Sequence, residues 1–125
     1  MNKNTKNWRS DIYDVLREQN IEQVCYVPDA GHAALIRDCE ADNKMTVIGL
    51  TTEEDGVGVL TGAWLGGQRG VMLMQSSGVG NTINALAMPN VCRVPFVTIV
   101  SMRGEWGEFV PWQVPMGKAT PDVFE

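Results

Sequence analysis

Short apolar runs alternate along the chain with segments whose apolar residues recur at helical spacing. Trp8, Ile12, Val15 and Leu16 fall on one face of a helix expected over 6–19. QVCYV, 23–27, reads as a strand. PDAGHAALIRDCEAD then turns into a helix whose apolar positions are Ala33, Leu35, Ile36 and Cys39. MTVIGL, 45–50, is a second strand. TTEEDGVGVLTGAWLGG, 51–67, opens with threonines and acids, which suit a helix start because they satisfy and complement its free amides. GVMLMQ is a third strand, 81–88 a helix, and VPFVTIVS, 94–101, a fourth strand.

Strand–helix alternation with near-continuous apolar strands predicts an α/β fold. The expected architecture is a three-layer α/β/α arrangement of one domain over 1–125, its parallel sheet covered on both faces. Ligands of such sheets gather at the carboxyl ends of the strands. Those ends are Pro28-Asp29, Leu50-Thr51-Thr52-Glu53, Gln75-Ser76-Ser77-Gly78 and Ser101-Met102-Arg103-Gly104, so four polar, Gly-rich turns should line one edge. The tail, 102–125, holds three prolines, three glycines and two tryptophans and reads as a long loop. Its last residues, PDVFE, look like the start of another helix. A sheet ending there would be incomplete, which leaves two expectations: a C-terminally truncated product, or a domain whose edge another chain covers.

Four glycines in one predicted helix are costly, since each loses up to about 1 kcal/mol relative to alanine. Gly58, Gly62 and Gly66 form a stripe at intervals of four. Three readings stay open for it: tight packing on the domain's own sheet, contact with a partner or cofactor, or a break in the helix.

The 125 residues suffice for one domain with a modest core, and 44% apolar content is ordinary for a globular protein. A net charge of −5, with no basic run, argues against nucleic acid or an anionic membrane as the main partner. No apolar core of a signal peptide opens the chain and no run approaches a membrane span, so the expected location is the cytoplasm. Cys25, Cys39 and Cys92 form neither a CxxC pair nor a zinc spacing. Cys25 and Cys92 lie among apolar residues and read as reduced, buried thiols.

The third strand ends in QSSGVGN, residues 75–81, a Gly-x-Gly turn before a helix. It does not read as a phosphate loop: no Lys-Ser or Lys-Thr occurs, the third glycine of GxGxxG is missing, and no acid follows about 20 residues on. Nor is it GxSxG, and His32 is the single histidine. His32, at a helix start, reads either as a ligand-facing group or as an ordinary surface residue. Glu53 and Glu54 follow the second strand. Spacing alone leaves both as acids complementing a helix N-terminus, or one of them as a carboxylate placed for chemistry.

The run GLTTEEDGVGVLTGAWLGGQRGVMLMQSSGVGNTINAL resembles the pyrimidine-binding (PYR) domain of thiamine-diphosphate-dependent enzymes. Glu53, Gly56, Gly62, Arg69 and Ser77-Gly78-Val79-Gly80 fit that family's pattern without a gap. VPDAG, MQSSGVGNTINAL and SMRGEWGE with PWQVPMG are similar, more narrowly, to the alpha subunits of sulfopyruvate decarboxylases and to the matching half of phosphonopyruvate decarboxylases. The likeness runs over about 8–120.

The resemblance implies a thiamine-diphosphate fold and a 2-oxoacid decarboxylase. Glu53 would hydrogen-bond the N1′ of the cofactor's aminopyrimidine and favour the tautomer whose 4′ nitrogen takes the thiazolium proton. The thiazolium then accepts electrons as carbon dioxide leaves. Glu54 points about 100° away on a helix and serves as the control. Gln75, Ser76, Ser77 and Gly78 would wall the pyrimidine. Asp29, His32, Asn81, Arg103 and Gln113 would face an anionic substrate, with Arg103 alternatively fixing a loop by pairing with Glu105 or Glu108. Trp106 and Trp112 read as loop packing. The family's diphosphate and Mg²⁺ sit on a GDG-bearing second domain, and no GDG occurs here. The chain should therefore carry half a site and no metal ligands, a beta subunit the other half, in an oligomer. Sulfopyruvate is the expected substrate, with phosphonopyruvate or another 3-substituted pyruvate as the runner-up. A non-catalytic domain of the same fold is the reading from another class, and a flavodoxin-like regulatory domain is a third.

Overall fold

A computed structural model describes residues 7–125. Six main helices and four strands follow in the order α1 (Trp8–Glu18), β1 (Ile21–Tyr26), α2 (Ala33–Glu40), β2 (Thr46–Gly49), α3 (Glu53–Leu65), β3 (Arg69–Gln75), α4 (Ser76–Val79), a 3-10 turn (Gly80–Thr82), α5 (Ile83–Cys92), β4 (Thr98–Ser101) and α6 (Gln113–Phe124). Residue 6, where the first helix was expected to begin, lies outside the described residues.

The strands form one sheet in the order β2-β1-β3-β4, with every pair parallel. Their side chains alternate between two cores, as the two-residue period of a strand requires. Val24, Val71 and Leu73 face a core completed by Leu16, Leu35, Ile36 and Cys39 of α1 and α2. Cys25, Met72 and Met74 face the opposite core with Leu60 of α3 and Val79, and Met116 and Val123 of α6 pack against it. Helices thus cover both faces, giving the three-layer α/β/α arrangement.

Local chemistry sets the element ends. Asn7 caps α1 by accepting the Arg9 amide at 3.3 Å, and the Arg69 guanidinium donates to the Gln19 carbonyl at the other end at 2.8 Å. Gly70 has no Cβ because one would run into Leu60 and Gln23 where α3 lies on the sheet.

Several expectations are corrected. The tail is not all loop: α6 occupies 113–124. Pro115 is its third residue, where the missing N–H has no intrahelical partner to lose. Gly117 lets the helix touch the Arg103 carbonyl, where a Cβ would collide. The region after β3 is not an open turn, because helix begins at Ser76 without a break. Helix α3 is continuous to Leu65, yet a Cβ on Gly58 or Gly62 would meet nothing within 4 Å, so these glycines do not pack on the domain's own sheet. Cys92 is exposed on α5, while Cys25 and Cys39 are buried. Trp106 and Trp112 project from their loop, exposed rather than packed.

Candidate functional site

The carboxyl ends of the strands meet at one edge, and two groups of polar side chains form there. The first centres on Glu53. It is the first residue of α3, directly after the β2 turn, and shares that helix's first turn with Glu54 and Asp55. Three acids there complement the helix dipole, but their surroundings differ. Glu53 is buried, whereas Glu54 and Asp55 are exposed. Asn81 Nδ2 donates to Glu53 Oε2 at 3.0 Å. The other oxygen, Oε1, lies against Gly78, where a Cβ would overlap the carboxylate. Gly78 has an ordinary helical backbone and no positive φ. Its missing side chain is therefore required by the close approach and not by a turn. Among the described residues Oε1 accepts no hydrogen bond, which leaves it able to take one from a bound group.

The second group centres on Asp29, in the loop after β1. Gln75 Nε2 donates to its Oδ1 at 2.8 Å. Ser101 Oγ at 2.7 Å and the Gly31 amide at 2.9 Å donate to its Oδ2. Gln75 and Ser101 are register partners at the ends of β3 and β4, so the sheet itself aims both side chains at one carboxylate. Burial alone would raise the Asp29 pKa. The three donors and nearby His32 outweigh it and hold the carboxyl below its ordinary value. Ser77 Oγ donates to Gln75 Oε1 at 2.7 Å and completes the chain.

His32 is a buried residue and not a surface one, at 3% exposure. Its Nε2 donates to the Met74 carbonyl at 3.1 Å, and its buried Nδ1 has no hydrogen-bond partner among the described residues. Ser76 is buried and accepts the Arg103 amide at 2.9 Å. The Arg103 guanidinium is taken by Glu108 in a two-pronged pair, both bonds 2.7 Å. Of the two loop acids considered from sequence, Glu108 is thus the partner. Its carboxylate also accepts the Gly104 and Val110 amides at 3.2 and 2.9 Å. Arg103 foremost, with those amides and against the cost of burial, holds the Glu108 pKa down at about 2. Gln113 begins α6, its amide bonded to the Val110 carbonyl, and its side chain joins neither group.

Glu53 with Gly78 and Asn81 form one group, and Asp29 with Gln75 and Ser77 the other. Ser101, which the sequence marks only as a strand end at this edge, joins the second group through Asp29. An anion clamp built on a free Arg103 is not what the geometry shows. A cleft of about 800 Å³ between Asp14, Glu18, Glu22 and Lys44 opens near the start of β1, and no residue of either group lines it.

A buried acid at the second strand end, seated on a glycine and leaving one oxygen free, fits a cofactor that offers a ring nitrogen. The chain belongs to the family of the thiamine pyrophosphate enzyme N-terminal TPP binding domain, whose model matches residues 6–109. It is 40% identical over 108 residues to a sulfopyruvate decarboxylase subunit alpha of Methanocaldococcus jannaschii, covering 86% of this chain and 64% of that protein. The Methanococcus maripaludis subunit alpha is 36% identical over 115 residues, 91% of this chain and 69% of its own. A phosphonopyruvate decarboxylase of Streptomyces hygroscopicus is 33% identical over 117 residues, 92% of this chain and 29% of its own. The chain thus spans about two thirds of the alpha subunits it matches. Among the described residues no helix is long and apolar enough to cross a membrane.

Proposed function

We propose that this chain is the pyrimidine-binding half of a thiamine-diphosphate-dependent decarboxylase acting on sulfopyruvate. The observation that carries the reading is the seating of Glu53. Its carboxylate is buried at the edge where α/β sheets bind ligands, fixed by Asn81 on one oxygen and pressed on Gly78 by the other.

Thiamine diphosphate supplies, when bound, a thiazolium that stabilises the electron pair left by carbon dioxide. The chain's own contribution is positioning and proton control. Glu53 Oε1 would be the atom that takes a hydrogen bond from the pyrimidine N1′ and would hold the proton there. Asn81 keeps Oε2 occupied, so the carboxylate cannot rotate away. Gly78, with Ser76, Ser77 and Gln75, would form the wall beside the ring. Helix α3 enters this site with its N-terminus.

The substrate side rests on less. Asp29 has three donors from its own chain and is a fixed anion, so it orders neighbours more readily than it attracts a dianion. Arg103 is committed to Glu108. A second chain therefore provides much of the charge that holds the substrate. We assign the same chain the diphosphate and Mg²⁺, which in the resembled family sit on a GDG-bearing second domain. The proposal includes a homo- or hetero-oligomer with that second chain, in the cytoplasm.

Phosphonopyruvate is the second reading, supported by the 33% identity to a phosphonopyruvate decarboxylase. The test is release of carbon dioxide from each 2-oxoacid by this chain mixed with a partner bearing the diphosphate-binding domain, thiamine diphosphate and Mg²⁺. Turnover of sulfopyruvate that needs both chains supports the proposal. Faster turnover of phosphonopyruvate favours the second reading. Absence of turnover together with absence of cofactor binding would leave a non-catalytic domain of this fold.

A further inference from the structure

Four hydrogen-bonded side chains link the last residue of β4 to the glycine under Glu53. Ser101 Oγ donates to Asp29 Oδ2 at 2.7 Å; Gln75 Nε2 donates to Asp29 Oδ1 at 2.8 Å; Ser77 Oγ donates to Gln75 Oε1 at 2.7 Å. The next residue is Gly78, which lies on the Glu53 carboxylate. The order of donors along this chain is forced. An ionised carboxylate can only accept, so Gln75 must turn its NH₂ toward Asp29. Its carbonyl oxygen is then left to accept the Ser77 hydroxyl. If Asp29 took up a proton it could donate instead, and the Gln75 amide would lose its reason to keep that orientation.

From this we infer that Ser101 is a positioning residue, acting through Asp29, Gln75 and Ser77 to fix the Gly78 backbone against the Glu53 carboxylate. Geometry supplies the case. Gln75 and Ser101 are paired across β3 and β4, so their reach to Asp29 is built into the sheet register. Gly31 is held to the same carboxylate, and a Cβ there would meet both Asp29 Oδ2 and the Ser101 Cβ, at 2.7 and 3.1 Å. The Ser101 hydroxyl is also among the contacts that keep Asp29 ionised, after burial has acted the other way. The charged groups acting on Asp29 are His32, from the start of α2, and Arg103, from the loop after β4, whose charge interacts with that carboxylate. Both favour the anion when they are charged, so loss of the Ser101 hydroxyl is the change that works against it.

The consequence for catalysis rests on the assignment of Glu53 as the cofactor-facing acid; the coupling itself does not. Two readouts on the full chain separate them. The first is the carboxyl ¹³C titration of Asp29 together with the amide signal of Gly78, in wild type, Ser101→Ala and Ser101→Thr. The inference predicts a higher Asp29 midpoint and a displaced Gly78 signal in Ser101→Ala, both restored in Ser101→Thr by the returned hydroxyl. The second is the pH profile of kcat/KM in the mixture with the partner chain. Its acidic limb should move to higher pH in Ser101→Ala, with a loss of about tenfold below that limb, the scale of one hydrogen bond to a charged group. A folded Ser101→Ala with unchanged Asp29 midpoint and Gly78 signal would overturn the inference. A displaced midpoint and signal in a mixture that never decarboxylates would keep the coupling and overturn the catalytic reading instead.

Discussion

Gly78 lies on the carboxylate of Glu53 so closely that no side chain fits between them. The glycine is 25 residues on in the chain, at the end of a different strand, and reaches the acid because β3 delivers helix α4 to the edge where α3 begins. Sheet topology and site geometry are one fact here: parallel strands must end at the same edge, and their following helices must start there.

Adding one methyl group at that contact should be damaging in a specific way. Gly78→Ala forces Glu53 from its seat, and overpacking of this kind costs about 1–3 kcal/mol. Gly80→Ala is the comparison, since its Cβ would meet the flexible end of Met116, at 3.2 Å from the sulfur. Thermal melting should show a clear drop for Gly78→Ala and a smaller one for Gly80→Ala. Thiamine diphosphate binding in the two-chain mixture should be lost with Gly78→Ala alone.

The loop that carries Arg103 is braced by an acid whose pKa is held at about 2, below its ordinary 4.5. A depressed carboxylate contributes stability above its unfolded pKa and loses it as pH falls through its folded one. Tryptophan fluorescence from Trp106 and Trp112 should therefore stay constant from neutral pH to about 4.5 and change between there and about 2. Glu108→Gln should show the released loop already at neutral pH, with that transition absent.

Thiol reactivity should divide the cysteines cleanly. Burial pushes Cys25 and Cys39 up to about 11, with nearby acids adding to the shift at Cys39, and both are inaccessible; Cys92 is exposed. A thiol reagent at pH 8 should modify Cys92 rapidly, and the other two after denaturation. Cys92→Ser should abolish the fast phase.

The four strands and the layers could be read from the sequence because their signal is local: apolar runs such as GVMLMQ admit few other structures. The site edge followed from topology alone, and Glu53, Gly78 and Asn81 do meet there. What could not be read depends on contacts between distant segments. Helix α6 hides behind Pro115, Gly117 and Pro121, residues that oppose helix by propensity. Pro115 stands in the first turn, where an amide is dispensable, and Gly117 where the Arg103 carbonyl comes too close for a side chain, while Pro121 lies inside the helix. Cys92 looked buried because its neighbours are apolar, but α5 turns that side outward. Burial of His32 depends on the Met74 carbonyl 42 residues away, and a lone histidine in a sequence gives no hint of that. Ser101 was visible as a strand end, but its role emerges only from the register with Gln75.

The central claim is that Glu53, and not its neighbour Glu54, is the acid that meets the cofactor. The direct measurement is carbon dioxide release from sulfopyruvate by the two-chain mixture with thiamine diphosphate and Mg²⁺, comparing Glu53→Gln with Glu54→Gln. The account predicts a fall of about 100-fold or more for Glu53→Gln, the scale of a lost proton-controlling group. Glu54→Gln, on an exposed position, should stay within about twofold of wild type, since exposed charges contribute little. Equal losses in both variants, or full activity in Glu53→Gln, would contradict it.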